Sequence, residues 1–256
     1  GAHLAATVTR SGQSANKDGS MYWGLEQWEA PVPGRKYAAG ADVAEGIESG
    51  GDKDYSVLAV FDVETGRGVC RYRARVPVDI FYQECDRICR LYNNALFAPE
   101  VNGTYGGSVI TGLKDVCHYP NLYSEESSGY VVLSGKKVDK GPQRYGWETT
   151  GVTKAPLLTQ FRQALQGESS SAPDNFRPVG QLPDQEFFRE AFNFREEQGK
   201  LRAAPGYHDD VVMAWAIATR MLVVSRGRLT PGAYIVGEPS EYTKTFGQPG
   251  RERGNP

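Results

Sequence analysis

Short apolar runs separated by polar, glycine-rich breaks begin at Tyr37 and organise most of the chain. Residues 37–43 and 55–63 are two such runs with a Gly-rich segment between them, the pattern of a β-hairpin with a long loop. Residues 68–76 alternate strictly. Arg71, Arg73 and Arg75 fall on one face and Cys70, Tyr72, Ala74 and Val76 on the other, which predicts a third strand with one solvated face. Between 79 and 93, Ile80, Phe81, Ile88, Leu91 and Tyr92 recur at helical spacing, with Asp79 placed as N-cap. Residues 95–101 then predict a fourth strand, 107–116 a helix and 121–123 a fifth strand. The order β-β-β-α-β-α-β implies a mixed sheet, its first three strands antiparallel and the later ones joining in parallel, flanked by helices.

Farther along, the spacing predicts a helix over 154–166, a Ser/Pro linker over 167–183, and a short helix or hairpin from 187–194 and 200–203. Asp210–Ser225 is apolar on nearly every side, as a buried helix is. Residues 1–36 are polar and Gly/Ser-rich around the aromatic cluster Tyr22, Trp23 and Trp28. Residues 225–256 are rich in Gly and Pro and read as an irregular or disordered tail.

Composition adds mainly exclusions. With 39% hydrophobic residues in 256, the chain is an ordinary globular one, and no apolar run approaches the ~18 residues of a membrane span. No secretory signal pattern is present. Charge nearly balances, 29 basic against 31 acidic residues, so a polyanionic partner must be met by a local patch or through metal ions. Cys70, Cys85, Cys89 and Cys117 lack zinc-type spacing, and Cys85 and Cys89 read as core thiols. The picture is of a reduced, intracellular, soluble protein.

Three acidic positions stand where a solvated charge is not the default. Asp42 interrupts the apolar run Ala38-Ala39-Gly40-Ala41, Glu100 ends Leu96-Phe97-Ala98, and Asp209-Asp210 open the buried helix. A turn residue, a strand-end charge and an N-cap are the structural alternatives, although one cap leaves the second aspartate unexplained. Carboxylates gathered from two strands and a helix repel one another unless cations sit among them. Oxygen ligands suit Mg²⁺ or Mn²⁺, and two such ions ~3.5–4 Å apart are the machinery of in-line displacement at phosphorus. A first-strand Asp, a fourth-strand Glu and a late-helix Asp on this element order is the arrangement of the ribonuclease H-like fold.

Four runs carry a more specific resemblance. Tyr37-Ala-Ala-Gly-Ala-Asp-Val-Ala-Glu-Gly46 precedes Asp54-Tyr55-Ser56, and Pro99-Glu-Val-Asn-Gly103 precedes Gly106-Gly107. Tyr145-Gly-Trp-Glu-Thr-Thr150 with Lys154 and His208-Asp-Asp-Val-Val-Met213 follow. In this order, over roughly residues 22–224, they resemble the C-terminal nuclease domain of the large terminase subunit of tailed bacteriophages. The resemblance implies a nuclease domain over 37–224 that cuts concatemeric double-stranded DNA in the host cytoplasm, using two divalent cations, Mg²⁺ or Mn²⁺. It assigns catalysis to Asp42, Glu100 and Asp210 and an auxiliary ligand role to Asp209; Asp54 is a candidate further metal contact, the long loop before it leaving Asp52, Asp54 or neither to face the metals. The family's packaging ATPase has no counterpart here, since Gly129–Lys137 departs from a P-loop in spacing and lacks its Ser/Thr. On this reading residues 1–36 are the remnant of an interdomain linker. The ATPase domain of the same full-length chain, the portal and the small terminase subunit are the implied partners, with no membrane.

Two basic features are candidates for phosphate contact without sequence readout: the row Arg71, Arg73, Arg75 and the cluster Lys136, Lys137, Lys140, Arg144. A solvated strand face and a solvated loop are the alternatives. His208 reads as a structural helix-start histidine, with donation to a carboxylate or phosphate as the other role, and Trp147 as a core or loop anchor. Another ribonuclease H-like nuclease or strand-transferase (transposase, integrase or junction resolvase) shares the acidic constellation. A non-catalytic DNA clamp on the same fold is the reading from a different class.

Overall fold

The computed structural model describes residues 24–44, 54–125, 131–133, 136–138, 144–166, 182–197 and 200–227. One sheet is built from β1 (Leu25–Gln27), β2 (Tyr37–Asp42), β3 (Ser56–Asp62), β4 (Gly68–Ala74) and β5 (Leu96–Pro99), in the order β1-β4-β3-β2-β5. β2, β3 and β4 pair antiparallel, as the sequence predicts. A helix, α1 (Val78–Leu91), separates β4 from β5, and β5 accordingly joins β2 in parallel.

The expected fifth strand at 121–123 is present only as bridging hydrogen bonds. Phe97 N–H donates to Asn121 O (3.1 Å) and Tyr123 N–H to Phe97 O (2.7 Å), a parallel extension of the sheet beyond β5. The sheet's fifth full strand is β1, which lies within the stretch read from sequence as linker. Three residues are too few to register as a strand, but Leu25, Glu26 and Gln27 pair with Tyr72, Arg71 and Cys70.

Helices cover both faces. On one lie α1 and α2 (Gly103–Thr111), which continues into a π-helical turn, Gly112–Val116; they bury Phe81, Cys85, Ile88, Cys89, Val109 and Leu113 against Leu58, Val60 and Tyr72. Pro77, not Asp79, occupies the N-cap of α1, and Asp79 stands in the first turn, where the helix dipole favours an acid. Among the described residues, β6 (Ser124–Glu125), β7 (Val131–Leu133), β8 (Lys136–Val138) and β9 (Arg144–Tyr145) form two minor antiparallel pairs, β6 with β9 and β7 with β8.

The opposite face carries α3 (Lys154–Gln166), α4 (Gln185–Phe192) and α5 (Asp210–Ser225). The ambiguous region before α5 holds both expected forms in series, helix α4 and then a hairpin of β10 (Phe194–Glu197) and β11 (Lys200–Ala203). α5 is buried from Asp210 to Val223, lying between the sheet below and α3 and α4 around it, which explains its all-round apolarity. Trp215 sits fully buried against Phe61 (4.7 Å between ring centroids) and Trp28 (6.2 Å).

The solvated face expected for β4 is covered over much of its length, only Arg75, just past the strand, being exposed. Arg71 is 4% exposed, because α4, α5 and the segment before them cover that side of the strand. Of the sequence readings, Asp52, Lys140, Tyr22, Trp23, most of the 167–183 linker and the tail beyond Gly227 lie outside the described residues.

Candidate active site

β2 and β5 run parallel in the register Ala41↔Pro99, and Glu100 N–H donates to Ala41 O at 2.8 Å. Asp42 and Glu100 therefore stand side by side at the C-terminal ends of neighbouring strands. α5 brings the other two acids to the same end because it crosses β2 at very close range. A Cβ at Gly40 would stand 2.2 Å from the Ala218 nitrogen, so any larger residue would push the helix off the strand. Its N-terminus then reaches the start of β3, where Tyr55 N–H donates to Asp210 Oδ2 at 2.7 Å.

The electrostatics are those of uncompensated acids. Burial, a hydrogen bond with Glu100 and the negative charges of Glu100, Asp210 and Asp209 hold the Asp42 carboxyl well above the usual carboxylate range. Asp210, 6% exposed, is pushed up to about 6 chiefly by burial, against the lowering effect of the Tyr55 amide. Lys154 Nζ lies within ion-pair range of this group, 3.4 Å from Asp209 Oδ2. Such a set is short of positive charge, and its hard oxygen donors fit divalent cations.

Asp54 approaches from the other side. Its Oδ1 lies 3.0 Å from His208 Nδ1, which is 3.8 Å from Asp210 Oδ2, and one ligand atom from each of the three falls within 4.8 Å of the others. The His208 ring packs edge-on against Tyr55. The structural-histidine reading thus understates this residue, which faces two of the acids. Trp147 is buried and bridges in parallel to Glu100, as a core anchor.

Asp209 occupies the N-cap of α5 without making a side-chain capping bond. Glu190 from α4 does that work: its Oε2 accepts from Val211 N–H (2.7 Å) and Val212 N–H (3.3 Å). Burial and the nearby Asp210 charge push its carboxyl up to about 7. Sequence reading missed Glu190, although a glutamate three residues after Phe187, on the buried face of α4, was a usable signal. It also left Lys154 without a role.

The arginine row is only partly a cationic surface: Arg71 is buried and Arg73 half-buried, while Arg75 is exposed. Arg71 is paired with Asp184 and, at 2.8 Å, with Glu26. Arg73 lies 3.8 Å from Glu190 Oε1 with its guanidinium 3.4 Å from the Tyr55 ring centroid, and Arg75 sits over the same ring at 4.1 Å. Alternation alone cannot distinguish a solvated face from one covered by elements more than a hundred residues away. In the other cluster Arg144 is well exposed, 3.5 Å from Glu148, while Lys136 and Lys137 lie on β8, of which only the backbone is described.

No protein-family model matches the chain, and no curated protein sequence is significantly similar to it. Solved structures do match. The large terminase nuclease of thermophilic phage G20c with bound magnesium superposes with a TM-score of 0.53 at 19% identity, over 77% of this chain and 87% of that one. The same nuclease with bound cobalt gives 0.54 at 20% identity, and with bound zinc 0.51 at 19%, over the same shares of both chains. The chain therefore has the ribonuclease H-like fold of these phage large terminase nucleases, with a mixed five-stranded sheet between two helical layers.

Proposed function

We propose that the chain is the metal-dependent endonuclease of a phage DNA-packaging motor, cutting concatemeric double-stranded DNA in the host cytoplasm by two-metal phosphodiester hydrolysis. The observation that carries the reading is Asp42 held against Glu100, with Asp210 and Asp209 close enough to raise its pKa further. A fold has no structural use for four mutually repelling acids at one sheet end, whereas a divalent cation is stabilised by them. The solved nucleases of the same fold with bound magnesium, cobalt and zinc support metal dependence.

In this reading Asp42, Glu100 and Asp210 hold the cations, Asp209 is an auxiliary ligand tethered by Lys154, and Asp54 stands at the rim with His208. Two Mg²⁺ or Mn²⁺ ions, when bound, would activate water for in-line attack and neutralise the leaving oxygen. Glu190 fixes the first turn of α5, and so the direction from which Asp210 points into the site. The Tyr55 amide occupies Asp210 Oδ2, which orients that carboxylate and leaves Oδ1 for a ligand.

DNA is held through phosphates by the Lys136, Lys137, Lys140 and Arg144 cluster, with Arg75 at the opposite flank beside Tyr55. Contacts of this kind carry no base readout, so cut sites scatter over any plasmid. The ATPase domain of a full-length chain, the portal and the small subunit are the partners this reading brings.

The test is supercoiled plasmid incubated with Mn²⁺, Mg²⁺ or EDTA. Nicking and linearisation with either ion and none in EDTA is the expected result. Cleavage that survives chelation removes the two-metal reading, and a mobility shift without nicking would make the chain a clamp. Products joined end to strand would make it a strand-transferase.

A further inference from the structure

Resting on the nuclease reading, we propose that Asn102 is a positioning residue that holds the Glu100 carboxylate ready for a divalent cation. Asn102 occupies the N-cap of α2, where an asparagine side chain ordinarily accepts from the first-turn N–H groups. Here it makes no such bond. Its amide is spent elsewhere: Oδ1 accepts from Thr149 N–H (3.1 Å), and Nδ2 donates to Thr149 O (2.8 Å) and to Glu100 Oε1 (3.2 Å).

The surroundings explain why that choice has a consequence. The segment carrying Thr149 is already strapped to the end of β5, since Trp147 N–H donates to Pro99 O and Val101 N–H to Trp147 O, each at 2.8 Å. Gly146, at φ +81°, permits that approach, and a Cβ there would meet Val101 Cγ1 at 2.4 Å. Gly106 lets α2 close on the same strand end, since a Cβ would stand 2.6 Å from Glu100 O. Asn102 thus bridges a rigid two-strand frame to one oxygen of Glu100. Without a cation, Glu100 faces Asp42 and the α5 aspartates, and repulsion favours rotamers that swing it away. The Nδ2 donor opposes that swing, so less reorganisation accompanies metal entry. Partners of metal ligands that act this way typically change affinity or activity 10–100-fold when lost.

Two variants separate positioning from capping. Asn102→Ser can cap α2 but cannot reach both Thr149 and Glu100; Asn102→Ala can do neither. Mn²⁺ binding is measured by titration calorimetry on the whole chain, beside the metal-free melt and the Mn²⁺ dependence of cleavage. Both variants are expected to bind Mn²⁺ about 10–100-fold more weakly, with cleavage recovering toward the unmodified rate as Mn²⁺ is raised. Asn102→Ser should melt close to the unmodified chain and above Asn102→Ala. Unchanged Mn²⁺ affinity in both, or affinity restored by Ser and lost in Ala, would overturn the proposal, the second outcome making Asn102 an ordinary cap. A loss of rate that no Mn²⁺ concentration recovers, at unchanged affinity, would overturn it too. Absence of Mn²⁺ binding by the unmodified chain would overturn the nuclease reading itself, and this proposal with it.

Discussion

Two groups of charged side chains are built into this sheet, and they are treated in opposite ways. Along β4, Arg71 meets Asp184 and Glu26, and Arg73 meets Glu190, so each buried cation has an acid from another element beside it. At the ends of β2, β5 and α5, acid meets acid, with Lys154 beside Asp209 and His208 beside Asp210 and Asp54 at the edge of the group. A matched buried pair is self-contained, and removing one member strands the other. An unmatched cluster is strained until something from outside completes it. The first pattern is architecture, and the second is what the proposed cation site rests on.

The sharpest way to break the comparison is to neutralise one acid of the cluster. Asp42→Asn, Glu100→Gln and Asp210→Asn should each reduce plasmid cleavage below detection, while the metal-free melt falls no lower than that of the unmodified chain, since lost repulsion offsets any lost hydrogen bond. Near-normal cleavage by Asp42→Asn or Glu100→Gln contradicts the assignment. Asp209→Asn should do less damage, because its carboxylate is shared with Lys154.

Along β4 the outcome should be reversed. Arg71→Ala leaves Asp184, fully buried, without its guanidinium, and the loss should be about 3–5 kcal/mol of unfolding free energy in a denaturant titration. Asp184 keeps its bonds to the Glu186 and Phe187 amides and to Trp215 Nε1, which sets the lower end of that range. Cleavage per folded molecule should stay unchanged. A stable Arg71→Ala with impaired DNA binding would return the arginine row to the surface role its alternation suggested.

A smaller effect follows from pH. The carboxyls of Asp210 and Glu190 titrate near about 6 and about 7 in the folded chain, against ordinary values of 3.8 and 4.5. Between about pH 4 and about pH 7 the folded state therefore binds more protons than the unfolded one, and unfolding free energy falls as pH rises through that window. The metal-free melting temperature should decline over this range. Glu190→Gln, which keeps an acceptor for Val211 and Val212, should flatten the decline, and saturating Mn²⁺ should remove part of it. The least effect is expected from Arg144→Ala: a few-fold loss of DNA affinity, and a salt dependence shallower by about one unit of slope.

The same contrast explains what the sequence could tell. The convergence of Asp42, Glu100 and Asp210, which the proposed site uses, was legible because an acid inside an apolar run needs a reason, and local sequence shows that anomaly. The strands and helices followed from periodicities of 2 and 3.6, and the mixed sheet from whether a helix separates two strands. The partners of Arg71 were not legible, because Asp184 lies 113 positions away and an arginine alternating with apolar residues looks the same over water or over a helix. Strand β1 escaped because three residues carry almost no pattern. Asn102 lies in the run Pro99–Gly103, but only the structure shows that its amide bonds Thr149 and Glu100 instead of capping α2.

The central claim is that the acids at the ends of β2, β5 and α5 form a divalent-cation site. Crystals of the chain soaked in Mn²⁺, with data collected for anomalous scattering, test it most directly. The account predicts anomalous peaks among Asp42, Glu100 and Asp210, with the soaked Asp42→Asn variant losing at least one of them. Peaks confined to other surface acids, or none near Asp42 at millimolar Mn²⁺, would contradict it.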